Sequence, residues 1–157
     1  MALRTRLTRM LGIEHPILLA PMGGVSGGRL AAAVSEAGGL GIIGGGYADA
    51  DWLAREQKAA GKARVASGFI TWSLAKHPAT LDVALASSPP AVMLSFGDAA
   101  PFIPKIKAAG ARAICQVQSL AQAREALAQG AEIIVAQGTE AGGHGGARAT
   151  LPLVPAI

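Results

Sequence analysis

The chain is poor in the residues that announce several kinds of chemistry. Only one of its 157 residues is cysteine, Cys115, so no internal disulfide can form, and a lone thiol suits a reducing cytoplasm. Aromatic residues make up 4% of the sequence, and the 14 basic residues behind the net charge of +4 are dispersed. Without a basic stripe interleaved with aromatics, nucleic-acid binding has no footprint. The densest basic group, Arg4, Arg6 and Arg9, reads as a solvated amino-terminal segment. No run approaches the roughly 18 consecutive apolar residues of a membrane span. The apolar stretch after the first arginines is broken by Pro16 and Pro21, which argues against a signal peptide. Histidine, cysteine and carboxylates do not fall at metal-ligand spacing, so no metal is expected. No Gly-Lys-Ser or Gly-Lys-Thr is present to cradle a phosphate, and no Gly-x-Ser-x-Gly elbow to present a serine nucleophile.

What the chain has is glycine, 21 residues of it, and an apolar fraction of 51% made mostly of small aliphatic side chains. These are arranged as a repeated strand–helix alternation. Apolar runs at 17–20, 40–43, 64–70, 91–94, 113–117 and 132–136 read as buried strands, continuous rather than alternating, as expected when helices cover a parallel sheet. Between them lie helices at 29–37, from Asp49 or Asp51 to about residue 60, from Pro78 to about 87, from near Pro101 to Gly110, and at 120–129 with Ser119 as cap. Glycines or prolines stop most of them. The strands recur roughly every 25 residues, the size of a βα unit. A complete (β/α)8 barrel takes eight units and about 250 residues. Residues 1–157 therefore predict a single α/β domain with about six units of a truncated barrel, and 149–157 open a further helix. On strand count alone a doubly wound open sheet is the alternative. In either case the unpaired edges predict self-association.

In both architectures the loops at the carboxyl ends of the strands build the site. Three of them are glycine-rich, at 22–28, 44–46 and 138–146. Singly, each is as readily a tight turn as a ligand surface. Three at one end of the sheet favour a flat cofactor. His15 and His77 each precede a proline and read as turn residues. His144 stands beyond the last strand among Gly142, Gly143, Gly145 and Gly146. An ordinary imidazole gains and loses a proton near neutrality, so His144 suits an acid/base role. It equally suits an incidental loop position, and spacing leaves both open. Glu140 either orients it or faces solvent.

Three blocks carry a resemblance: Pro16-Ile17-Leu18-Leu19-Ala20-Pro21-Met22-Gly23-Gly24, the stretch from Glu36 to Gly46, and above all Gln137 to Gly146 with its Glu-Ala-Gly-Gly-His. Together they resemble the nitronate monooxygenase family, formerly the 2-nitropropane dioxygenases. The flavin-dependent enoyl-acyl-carrier-protein reductases, a sister group, share the same blocks. The resemblance runs in order along the whole chain. It implies a (β/α)8 barrel with FMN at the carboxyl ends of the strands and oxidation of alkyl nitronates by O2. It makes His144 the catalytic histidine, acting as base or steering the substrate. Backbone at Met22 and Gly23 would meet the flavin ring, and Gln116, Gln137, Gly142 and Gly143 would line it. The cofactor supplies the redox chemistry and the protein the placement. The chain departs from many relatives in having Ile70-Thr71 where they carry an asparagine. It has Gln116 where some carry a lysine, and Gly145 where others differ. The family's phosphate site, built from loops after strands seven and eight, is missing. The alternatives implied are NAD(P)H-dependent quinone or enoyl-thioester reduction on the same scaffold, or an inactive self-associating fragment.

Overall fold

The computed structural model of the chain describes residues 3–157. In chain order its elements are α1 (Arg6–Leu11), α2 (Gly28–Glu36), β1 (Ile42–Gly46), α3 (Ala50–Ala59), β2 (Ala66–Ile70), α4 (Thr71–Leu74), α5 (Thr80–Ala86), β3 (Ala91–Ser95), α6 (Ile103–Ala108), β4 (Arg112–Val117), α7 (Leu120–Ala128), β5 (Ile133–Ala136) and α8 (Thr150–Leu153), the last running into a 3₁₀ turn (Val154–Ala156). Local chemistry accounts for several of these boundaries. Of the two candidate caps for α3 it is Asp49 that acts, its carboxylate accepting from Trp52 N at 2.9 Å. Ser119 caps α7 in the same way through Gln122 N, at 3.2 Å.

The expected strand at 17–20 is reduced to one parallel bridge, Leu18 to Leu40. Leu19 N donates to Leu40 O and Leu40 N to Ile17 O, both at 2.9 Å, and the ladder goes no further. Pro16 and Pro21 bracket the segment, and proline offers no N–H to extend it.

The five strands are all parallel and lie in the order β1-β2-β3-β4-β5. This order decides between the two architectures left open by strand count. A doubly wound sheet reverses its strand order at a switch point. Here each right-handed crossover steps the same way, which puts every connecting helix on one face, as in a (β/α) barrel wall. Two apolar layers follow. On the helix side Ile43, Phe69, Val92, Leu94 and Cys115 pack against Leu53, Leu81 and Ile106. On the inner face Ile42, Ala66, Met93 and Ile114 form a second cluster with Leu11.

Leu11 belongs to α1, an element absent from the sequence reading. Arg4, Arg6 and Arg9 do stay exposed, as expected of a solvated segment. Yet Thr5 and Thr8 form a capping box. Leu11 is 1% exposed, and Arg64 Nη1 donates to Leu11 O at 2.5 Å. The segment is thus a helix that contributes to the inner core.

Candidate functional site

Residues two apart on a strand share a face, so the inward phase of the sheet can be followed from the core up to the carboxyl ends. On β1 and β2 that phase carries Gly44 and Gly68, which are in register. A Cβ on Gly44 would overlap the carbonyl of Met22, and one on Gly68 would overlap the Pro21 ring. The first glycine-rich loop therefore lies directly on these two strands, and only glycine admits it. Ser26, fully buried, holds the loop: Met22 N donates to Ser26 Oγ at 2.7 Å, Ser26 Oγ donates to Met22 O at 3.0 Å, and Gly44 N donates to Ser26 O at 2.8 Å. A Cβ on Gly46 would stand 3.6 Å from Gly23 Cα, so the first and second glycine loops meet backbone to backbone.

On β3 and β4 the inward phase ends in Ser95 and Gln116, paired in register. Ser95 Oγ is buried and has no hydrogen-bond partner among the described residues. Gln116 Nε2 donates to Gln137 Oε1 at 2.8 Å, across to the residue that follows β5. Gln137 Nε2 donates in turn to Gly142 O at 3.2 Å. Gln118 Nε2 donates both to Gln137 Oε1, at 2.7 Å, and to the backbone carbonyl of His144, at 2.6 Å. Three carboxamides thus tie the histidine loop to the ends of β4 and β5.

The loop is closed at its base by Thr139 N donating to Arg148 O at 2.9 Å. Gly142, Gly143 and Gly145 meet nothing within 4 Å of a built Cβ, so one side of the loop is open. His144 is exposed, and its ring lies 5.1 Å from that of Phe96 at an interplanar angle of 48°. Phe96 has φ +62, uncommon for a bulky residue and a mark of local strain at the carboxyl end of β3. A cavity of about 230 Å³ runs from Phe96, Gln116 and Gln118 toward Cys115 and the Gln122 and Glu125 side of α7, and His144 does not line it.

Glu140 does not orient His144. Its Oε2 accepts from Thr150 N at 2.9 Å and from Thr150 Oγ1 at 2.8 Å, at the start of α8. The Thr150 hydroxyl, with the backbone N–H groups of Glu140 and Thr150, holds its carboxyl below the ordinary glutamate range. The structure therefore brings Gln116, Gln137, Gly142, Gly143 and His144 into one cluster at the carboxyl ends of β4 and β5. Met22 and Gly23 lie over β1 and β2 at the same end of the sheet. Ser95, Phe96 and Gln118, not singled out in the sequence, join the cluster. The signal for Gln118 was its spacing of two from Gln116 on a strand end. Among the described residues, no group of three or more histidine, cysteine or carboxylate side chains is placed to hold a metal ion.

The sequence profile described as nitronate monooxygenase matches residues 4–69 and 69–157. The chain belongs to the nitronate monooxygenase family. A nitronate monooxygenase from Paraburkholderia phytofirmans is 36% identical over 89% of this chain and 50% of its own length. A (3aS,4S,5R,7aS)-5-hydroxy-7a-methyl-1-oxo-octahydro-1H-indene-4-carboxyl-CoA dehydrogenase from Mycobacterium tuberculosis is 34% identical over the whole chain and 45% of its own length. FabK from Thermotoga maritima superposes with a TM-score of 0.86 at 36% identity, over 97% of this chain and 50% of that one. The chain spans about half the length of the curated relatives it matches. No helix among the described residues is long and apolar enough to cross a membrane.

Proposed function

We propose that the carboxyl face binds FMN and that the protein oxidises alkyl nitronates with O2, with His144 as catalytic base. The observation carrying this reading is that an exposed histidine, a polar strand-end cluster and closely packed glycine backbone lie at one end of the parallel sheet. The residues present fit an isoalloxazine, a flat ring with carbonyl and N–H groups on its edge. Gly23 offers backbone with no Cβ in the way beside Met22, and Gln116 and Gln137 offer carboxamides. Gly142 and Gly143 leave open space, and the unpartnered Ser95 Oγ supplies a further polar group. FMN, when bound, would supply the redox chemistry that couples oxidation of the substrate to reduction of O2. As base, His144 takes the proton from the carbon beside the nitro group of the neutral nitroalkane, generating the nitronate in the site; a substrate supplied as nitronate has already lost that proton. Once protonated, it donates a hydrogen bond to a nitronate oxygen.

The test is oxygen uptake by the full-length protein with nitropropane, which needs the base, and with propyl nitronate, which does not. His144→Ala lowers kcat with nitropropane by about 10²- to 10⁴-fold, the range of a general base, and lowers it less with propyl nitronate, while the flavin spectrum is retained. Uptake with nitropropane unaffected by that substitution sinks the reading. A second reading, NAD(P)H-dependent reduction of an enoyl thioester or quinone, is favoured by the relative named as a carboxyl-CoA dehydrogenase. Oxidation of NADH dependent on an enoyl thioester, without nitronate-dependent oxygen uptake, selects it.

A further inference from the structure

The geometry points to Gln118 as a positioning residue that sets where His144 stands, an inference resting on the reading of His144 as the acid/base of this site. Both N–H groups of the Gln118 carboxamide are used, one on Gln137 Oε1 at 2.7 Å and one on His144 O at 2.6 Å. Two acceptor oxygens demand the NH₂ end, so the orientation of the amide is forced. Its backbone is fixed as well, because Gln118 N donates to Gln122 Oε1 on the first turn of α7 at 2.7 Å.

The rest of the loop does little to place the histidine. A Cβ built on Gly142, Gly143 or Gly145 meets nothing within 4 Å, so packing does not constrain the backbone on either side. Gly146, by contrast, sits against the Gln118 side chain, with a built Cβ 3.2 Å from Gln118 Cβ. Gln118 therefore grips the loop at two points, the His144 carbonyl and the Gly146 Cα. The Phe96 ring meets the imidazole from β3. Gln118 thereby carries the direct link from the end of β4 to His144 itself, while Gln137 holds the loop two residues earlier, at Gly142 O.

Gln118→Glu is the sharp test, since it keeps the shape and removes both protons. A carboxylate would face two carbonyl oxygens, which repels the loop, whereas Gln118→Ala only removes the bonds. If Gln118 merely filled space, alanine would be the worse of the two. The measurement uses the full-length, FMN-loaded protein with ring-¹³C histidine, the His144 signal being identified by its loss in His144→Gln. The Phe96 ring gives that signal a ring-current shift, which reports the placement of His144 without any turnover.

In Gln118→Glu the His144 signal moves toward that of free histidine. With nitropropane kcat falls about 10- to 100-fold, the scale of an ångström-sized misplacement, and KM changes little. Gln118→Ala gives a smaller fall. An unmoved His144 signal in Gln118→Glu overturns the inference, as does a larger loss in Gln118→Ala. A moved signal in a protein that does not turn over nitronate supports the positioning role and refutes the nitronate reading, so the two fail separately.

Discussion

Single residues at the carboxyl end of the sheet are chosen by what must lie against them. Gly68 has the Pro21 ring where a Cβ would be, so Gly68→Ala must push the first glycine loop off the inner face. Overpacking of this kind costs about 1–3 kcal/mol. Urea unfolding of the variant checks this, and an unchanged midpoint refutes it. Cys115 shows the opposite constraint. It is 3% exposed, and burial pushes its thiol up to about 11. The unfolded thiol ionises near 8.5, so as pH rises the unfolded state loses its proton first. The contribution of Cys115 to stability is therefore complete below about 8.5 and declines as pH climbs toward about 11. Native protein at pH 8 leaves Cys115 unlabelled by a disulfide reagent, and denaturant exposes it. Rapid labelling of the native state contradicts its burial.

Among the elements, helix starts were the most legible feature of the sequence. Asp49 and Ser119 act within one turn, where the side chain that caps and the N–H it accepts are three residues apart. Asp49→Ala removes the acceptor for Trp52 N and costs about 1 kcal/mol, read as a lowered thermal midpoint; an unchanged midpoint contradicts the cap. Boundaries that depend on distant partners were harder to read. The helix expected from Pro78 begins instead at Thr80, whose hydroxyl donates to Ala48 O at 2.9 Å. α1 was hidden among arginines, because Leu7 and Leu11 mark only one side of a six-residue helix. Glu140 was undecided between His144 and solvent. It belongs to α8, whose first N–H it accepts. Its lowered folded value means that this anchoring holds above the ordinary glutamate range and is lost as pH falls through that lowered value. The pair between Arg112 and Glu132 is partly exposed and adds little to stability. Burial pulls the Glu132 carboxyl up, but hydrogen bonds from Arg112 and Ala113 N, with the charges of Arg112 and Lys107, hold it below the ordinary range.

At the scale of the sheet, the decisive property is its single run of parallel strands, in which β5 has a partner strand on one side only among the described residues. β5 is only half-buried along Ile133–Ala136, although its side chains are aliphatic. A polypeptide of these 157 residues expressed alone therefore associates through that edge. It elutes in gel filtration above its 15.7 kDa mass and retains FMN poorly. A yellow monomer with stoichiometric FMN refutes this prediction. The order of the strands, more than their number, decides the architecture. Six apolar runs were compatible with two architectures, and the monotonic sequence β1 to β5 leaves one.

Local signals in the chain determined the alternation of strands and helices, the caps, and the glycine loops at one end of the sheet. They did so because strand pattern, capping and turn chemistry act within a few neighbouring residues. The tertiary structure alone decided that the segment at 17–20 makes only one bridge, that Leu11 fills the inner core, and that Glu140 turns to Thr150. It also joined Gln118 to His144, 26 residues apart. That pairing follows from the register of β4 on β5, which no local window contains. The histidine was visible from its glycine neighbours, and the carboxamide that holds it became visible only once the strands were side by side.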